Sequence, residues 1–342
     1  MGQIKNFDLQ KEIELQGTSV AIGNSIVSVH STEPYNIIGY GAEKNDRLPM
    51  VYIDIDGNDN TFSSSSATLS LPSTTEKIAF AGLYWTATYP YEEGEMVKGN
   101  TEYLYVEKTK RKETYHQILF KLPEGNYQTV RGEILTDQVD SIAKPYVCFA
   151  DVTSHLQKLT IPSGEYTVAN MRATQGHLLG GSAGGWLLYI IYEDKSLPRS
   201  KISIYSGCRP VVKGGHLFPL NSYNSTNTST SKIVFGALEG DERLKTDEVY
   251  LRFKSGKQSA LSNIGRDQRN FFNSSITFND SIMMQRKPNS KNTLGFDIAT
   301  ISPSSEEKTE KGVLEKVTQI DFKTVRDTYF LFFVSVENLM TD

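Results

Sequence analysis

The chain has 342 residues, enough for one large domain or two ordinary ones, and its 38% hydrophobic and 11% aromatic content supports a real core rather than wholesale disorder. Thirty-six basic against 40 acidic residues leave a net charge of −4, which argues against a nucleic-acid or anionic-membrane footprint. No apolar run approaches the roughly 18–20 residues that a membrane-spanning helix needs, so membrane insertion is not expected. The amino-terminal MGQIKNFDLQ has no apolar h-region, so no secretory leader is expected in the sequence as it stands.

Taken in chain order, residues 18–22 and 25–29 read as two short strands. Gly23-Asn24 between them is a strong hairpin signal. Val51, Ile53 and Ile55 then alternate with Tyr52, Asp54 and Asp56, a period of two that suits a half-buried strand. Gly57-Asn58-Asp59-Asn60 must turn, and Ala67, Leu69 and Leu71 resume the alternation. Residues 78–85 are apolar on both sides, the pattern of a strand buried on both faces. Residues 103–106 and 117–122 read as strands flanking the basic cluster 108–112. Glu107, Glu113 and Glu124 dilute that cluster, so it reads as a solvated hairpin end. Residues 149–156 suggest a helical turn with an Asp or Thr cap. The glycine run 180–185 leads into the strand-like WLLYIIY without a Lys-Ser/Thr ending. It reads as a flexible hairpin or a close backbone approach, not as a phosphate loop.

Polar EDKSLPRS (193–200) marks a division, so the chain is expected to form two β-sandwich subdomains, residues 1–194 and 195–342. A Ser-rich turn feeding an alternating strand occurs at 62–69 and again at 270–278, which suggests related halves. Residues 221–231 are low-complexity loop and 306–315 a charged excursion. Long-window helical periodicity is absent. Many short strands with frequent Gly, Asn and Ser turns predict an all-β, sandwich or jelly-roll-like fold.

The motif D-x-D-G-x-x-x-T-F-x-S-S-S-A-T-L-x-L-P, here Asp54 to Pro72, followed by Ala81-Gly82-Leu83-Tyr84-Trp85, resembles the N-terminal region of large bacterial cell-surface adhesins. The likeness continues through Phe149 to Thr153, Gly164 to Asn170, Gly185 to Leu188, Leu238 to Asp241, Asn270 to Ile276 and Asn292 to Ile298. Thr86-Ala87 after the tryptophan departs from the usual small residue. The resemblance implies an extracellular, cell-surface location and a non-enzymatic role. Exposed loops would bind a surface, a glycan or another cell, with further domains of a larger surface protein downstream. The alternative is a carbohydrate-active enzyme or a carbohydrate-binding module on a jelly-roll scaffold. A third reading is a stalk subunit with edge strands open for strand addition.

Among constellations, Asp54, Asp56, Asn58 and Asn60 have oxygen ligands at a spacing that could curl around Ca²⁺, which takes six to eight of them. An EF-hand is excluded because Ser65 stands where its glutamate would be. The competing reading is an Asx-rich turn bonded to its own backbone. Both stand. Asp151, Glu239, Asp241 and Asp297 are further acids, more at home in caps and turns than in a cleft. No G-x-S-x-G or metalloprotease histidine spacing supports catalysis. Trp85 and Trp186 sit in apolar strands and are expected in the core, whereas Tyr89, Tyr91, Tyr127 and Tyr223 lie in polar segments and are the candidate ligand contacts. Cys148 and Cys208 both fall in strand-like segments. A bridge would contribute roughly 3–4 kcal/mol, and the sequence leaves pairing open.

Overall fold

The strand Asp8–Ser25 joins the two halves of the protein. The computed structural model describes residues 7–137, 139, 141–220, 228–302 and 317–340. Residues 8–16 of this strand pair antiparallel with Arg199–Val211, and residues 17–25 pair antiparallel with Gly184–Glu193. The expected hairpin at Gly23-Asn24 does not form. Gly23 lies opposite Leu187 and Asn24 opposite Trp186 inside one unbroken ladder. A long apolar partner strand outcompetes the local turn preference, and both residues are used for packing. A Cβ at Gly23 would lie 2.1 Å from the Trp186 carbonyl oxygen. The Asn24 amide donates to the carbonyls of Ser66, Lys287 and Pro288 at 2.9–3.1 Å.

Around this strand runs an eleven-stranded sheet. On one side of it lie Gly184–Glu193, Lys77–Thr88, Pro145–Asp151 and Glu133–Thr136; on the other lie Arg199–Val211, Tyr329–Met340, Thr228–Gly240 and Gly295–Ile301, with two short edge strands. The two wings fold toward each other across a shared core of Phe80, Tyr84, Tyr189, Ile204, Val234, Phe332 and Phe333. Tyr84 and Tyr189 meet Phe333 with ring centroids 4.9 and 5.0 Å apart. Glycine lets the wings approach: a Cβ at Gly185 would stand 2.6 Å from the Asn24 carbonyl and 2.7 Å from the Phe296 ring.

Each wing is covered on its outer face by a smaller sheet. Ser64–Leu69, Gly164–Ala169, Gln117–Lys121 and Tyr127–Arg131, with Arg286–Lys287 at one edge, cover the first wing. Trp85, Trp186, Phe120 and Tyr166 fill that core. His216–Pro219, Val317–Lys323, Glu248–Phe253 and Gln258–Ala260 cover the second, over Phe235, Phe271, Phe272 and Phe322. The result is an all-β stack of four layers. Alternation sorts side chains between them: along Thr228–Gly240, Ile233, Phe235 and Ala237 face the outer core while Val234 and Leu238 face the shared one. Residue 194 lies in the turn between the wings, and residues 8–16 and Arg286–Lys287 pair across it.

The strands read as apolar on both sides, Lys77–Thr88 and Gly184–Glu193, are buried on both faces because a core lies on each. Helix among the described residues is limited to single turns, of which Thr153–Leu156 is the α-helical one, with Asp151 accepting from the Thr153 amide at 2.9 Å. None is long and apolar enough to cross a membrane. Both cysteines are free: Cys148 faces the first outer core opposite Trp85, whereas Cys208 packs against the shared core. Tyr223 and the excursion 306–315 lie outside the described residues.

Candidate functional site

The Asp54 loop is set by the start of the strand Ser64–Leu69. The Ser64 hydroxyl accepts from the amides of Ile55 and Asp56 at 2.8 and 3.1 Å and donates to Asp54 Oδ1 at 2.8 Å. Beyond it the chain makes successive Asx turns. Asp56 Oδ1 accepts from the Asn58 amide (3.1 Å) and the Thr61 hydroxyl (2.8 Å), and Asn58 Oδ1 accepts from the amide of Asn60 at 3.0 Å and from its side chain at 3.1 Å. Tyr127, half-buried at the start of the edge strand Tyr127–Arg131, donates its hydroxyl to Asp56 Oδ2.

Asp54 and Asp56 lie close enough to hydrogen-bond, and their carboxyls titrate differently. Burial, with the adjacent Asp56, raises Asp54 above the usual carboxylate range. Burial also works against ionising Asp56. Hydrogen bonds from Tyr127, the Asn58 amide and Thr61 outweigh it, and its carboxyl is held low. Two adjacent carboxyls are the kind of oxygen donor a hard cation takes. The two asparagines do not as they stand, because Asn58 Oδ1 is engaged by Asn60. Among the described residues no three His, Cys, Asp or Glu side chains are grouped to hold a metal ion.

Next to the loop, Asn170 closes the strand Gly164–Ala169 and accepts from the Phe62 amide at 2.9 Å. The Phe62 ring, 36% exposed, lies between Tyr52 (centroids 5.1 Å apart) and the Arg172 guanidinium, 4.6 Å from its centroid. Arg172 is held in turn by Glu92 (2.9 Å) and Thr114 (3.0 Å). Phe62, Asn170 and Arg172 were not singled out as site residues from the sequence. Phe62 and Asn170 fell within segments matched to the adhesin family, and Arg172 within none.

Two expected contact residues are corrected. Tyr89 is 0% exposed and Tyr91 9%. The polar segment around them is a tight turn between Lys77–Thr88 and Tyr91–Lys98, not an open loop, and it turns both rings inward. Tyr89 packs against Tyr115 and Tyr146 with its hydroxyl on Glu92, and Tyr91 donates to the His177 carbonyl at 3.0 Å. Trp85 and Trp186 are core residues, their ring N–H groups donating to the Tyr115 carbonyl and the Ser65 hydroxyl, both at 2.9 Å. The basic cluster 108–112 is tied to acids within its own hairpin region: Lys108 to Glu93, Arg111 to Asp137, Lys112 to Glu92.

The other acids are dispersed. Asp297 is buried on Arg266 at 2.8 Å, while Glu239 and Asp241 lie near Asp327 in the second half. Two adjoining open grooves, of about 580 and 700 Å³, share Leu159, Thr160, Ile161 and Ser163. Of the acids in the second groove, Glu165 is paired with Lys287 at 2.8 Å.

Comparison with known proteins adds a family but no activity. None of the curated proteins is similar enough to count as a relative. A chain from the atomic structure of Sulfolobus Turreted Icosahedral Virus is 6% identical, with 95% of this chain and 91% of that one covered and a TM-score of 0.23. A PNGF-II structure is 12% identical, with 94% and 65% covered and a TM-score of 0.20. Superpositions this loose bear on neither fold nor function. Residues 45–329 match a family described as "Protein of unknown function (DUF3344)".

Proposed function

The chain belongs to the DUF3344 family, and from that premise we propose that it is a non-enzymatic extracellular recognition domain, binding glycan through the end of the first sandwich built by the Asp54 loop. The single observation that carries this reading is the half-exposed Phe62 ring, fixed between Tyr52 and Arg172 beside Asn170 and the Asp54–Asp56 pair. A sugar ring offers an apolar face and a rim of hydroxyls. A rigid aromatic with planar polar groups beside it matches both. Calcium, in this reading, replaces the proton between Asp54 and Asp56 and draws Asn58 away from Asn60. The wider role is attachment to a cell or surface, as part of a larger surface protein, in keeping with the adhesin resemblance.

The test is a glycan array probed with the full chain, with millimolar calcium or a chelator. Phe62→Ala and Arg172→Gln are expected to weaken the best hit about tenfold or more; Arg172→Gln is also expected to lower the melting temperature, because it removes a partner of the buried Glu92. Calcium is expected to raise the wild-type melting temperature but not that of Asp54→Asn/Asp56→Asn. An array without hits, or hits indifferent to both Phe62 and Arg172, would sink the reading.

A further inference from the structure

At one end of the second sandwich, five basic residues distant in sequence come together. The turn at 212–215 brings Lys213, the loop before Glu248–Phe253 brings Lys245, and Arg269 joins them. The end of Val317–Lys323 and the turn after it bring Lys323 and Arg326. With Gly214, Thr246, Glu248, Thr324 and Val325 they line a concavity of about 610 Å³. In a chain with more acids than bases, five cations facing one acid in a single concavity is a marked local excess.

The nearby acids leave part of that field free. Lys245 pairs with Asp267 at 2.9 Å and Lys323 with Asp321 at 3.7 Å, while among the described residues no direct ion pair engages Lys213, Arg269 or Arg326. Beneath the lining, Asp247 is fully buried and hydrogen-bonded to Asp327. Burial and the Asp327 charge push Asp247 up to about 8, so this pair retains one proton at neutral pH and sets one negative charge, not two, against the five cations above it.

The floor is preorganised. The Asp327 amide donates to the Thr324 hydroxyl at 3.1 Å, the Asp247 amide to the Arg269 carbonyl at 3.0 Å, and the Phe271 amide to the Asp247 carbonyl at 2.8 Å. Gly214, at φ +100° with open space where a side chain would be, leaves its backbone accessible at the rim.

We propose that this concavity binds a saccharide bearing sulfate or phosphate esters, with Arg269 and Arg326 as the forked donors to the ester oxygens and Lys213 as a point charge. Arginine presents paired N–H groups matched to two oxygens of such an ester, and lysine adds attraction without directional demand. The volume exceeds that of a lone inorganic anion and suits a sugar carrying one. The site is separate from the Asp54 loop and does not rest on the reading given to it.

The experiment is calorimetric titration of the full chain with a heparin-derived tetrasaccharide, its desulfated counterpart, a phosphorylated oligomannose and a single-stranded DNA oligomer of matched charge. One or both esterified saccharides are expected to bind at least about tenfold more tightly than the desulfated one, and the pair of arms says which ester is preferred. Arg269→Gln and Arg326→Gln are each expected to cost roughly tenfold with an unchanged melting temperature. Affinity should fall as salt rises. Phe62→Ala is expected to leave this binding intact. Equal affinity for the desulfated sugar, equal or better affinity for DNA, indifference to both arginine changes, or loss on Phe62→Ala would each overturn the assignment.

Discussion

Replacing Arg266 by methionine probes the most deeply buried charge pair of the second half. Arg266 and Asp297 are both 0% exposed and 2.8 Å apart. The guanidinium also donates to the Thr277 hydroxyl (2.9 Å) and to the carbonyls of Ser275 (2.8 Å) and Ile298 (3.1 Å). Asp297 accepts from the amides of Asn273, Ser274 and Ser275 at 3.0–3.2 Å. The pair therefore fastens residues 271–277 to the strand Gly295–Ile301. Methionine fills much of the volume but leaves a buried carboxylate with only backbone donors and takes a donor from the carbonyls of Phe271, Ser275 and Ile298. Breaking one side of such a pair costs roughly 3–5 kcal/mol. At roughly 2–4 °C per kcal/mol for a unit of this size, the melting temperature should drop by on the order of 10 °C. Calorimetry and urea unfolding measure it. Arg266→Lys should fall between, since it keeps the charge and loses the fork. Arg266→Met/Asp297→Asn should cost less than the two single changes added together. An Arg266→Met protein melting within about 2 °C of wild type would refute the argument.

Asp247 makes stability pH-dependent. Its folded pKa, about 8, lies above the ordinary carboxyl value of 3.8, so the folded state holds the extra proton between those values. Its contribution is present in full below about pH 4 and is lost as pH rises toward 8, at no more than roughly 1.4 kcal/mol per unit. Melting curves from pH 4 to 8.5 should show Asp247→Asn gaining on wild type as pH rises; parallel curves would count against it. Gly185→Ala should destabilise by about 2 kcal/mol or more in urea titration, because backbone stands 2.6 Å from the new methyl. A neutral result would mean that the strand Asp8–Ser25 can shift to admit the methyl. Burial raises the thiol pKa of both Cys148 and Cys208, so a thiol reagent should label the fully buried Cys148 only once guanidinium unfolds the chain and the half-buried Cys208 slowly before that, and reductant should not move the melting temperature.

The proposed binding surfaces were less legible than the strands. Phe62 and Arg172 meet because residues 62 and 172 flank strands paired in one register, Ser64 opposite Ala169. The basic concavity draws on positions from 213 to 326. No local spacing encodes either. Tyr89 and Tyr91 failed as contacts for a related reason: polar neighbours such as Glu92 suggested solvent, whereas Glu92 is itself buried, with Tyr89 and Arg172 as partners.

Read alone, the amino-acid order determined what each short segment does to its own backbone: period-two alternation for strands, apolar stretches for strands covered twice, glycine where chains crowd, tryptophan in the interior. Those properties depend on residues a few positions apart. Only the tertiary structure decided that Gly23-Asn24 continues a strand, that Asp8–Ser25 serves both wings, and which loops share an end. Nine ladder pairs with a distant apolar strand outweigh one turn preference, and that competition is settled by surface removed from water far along the chain.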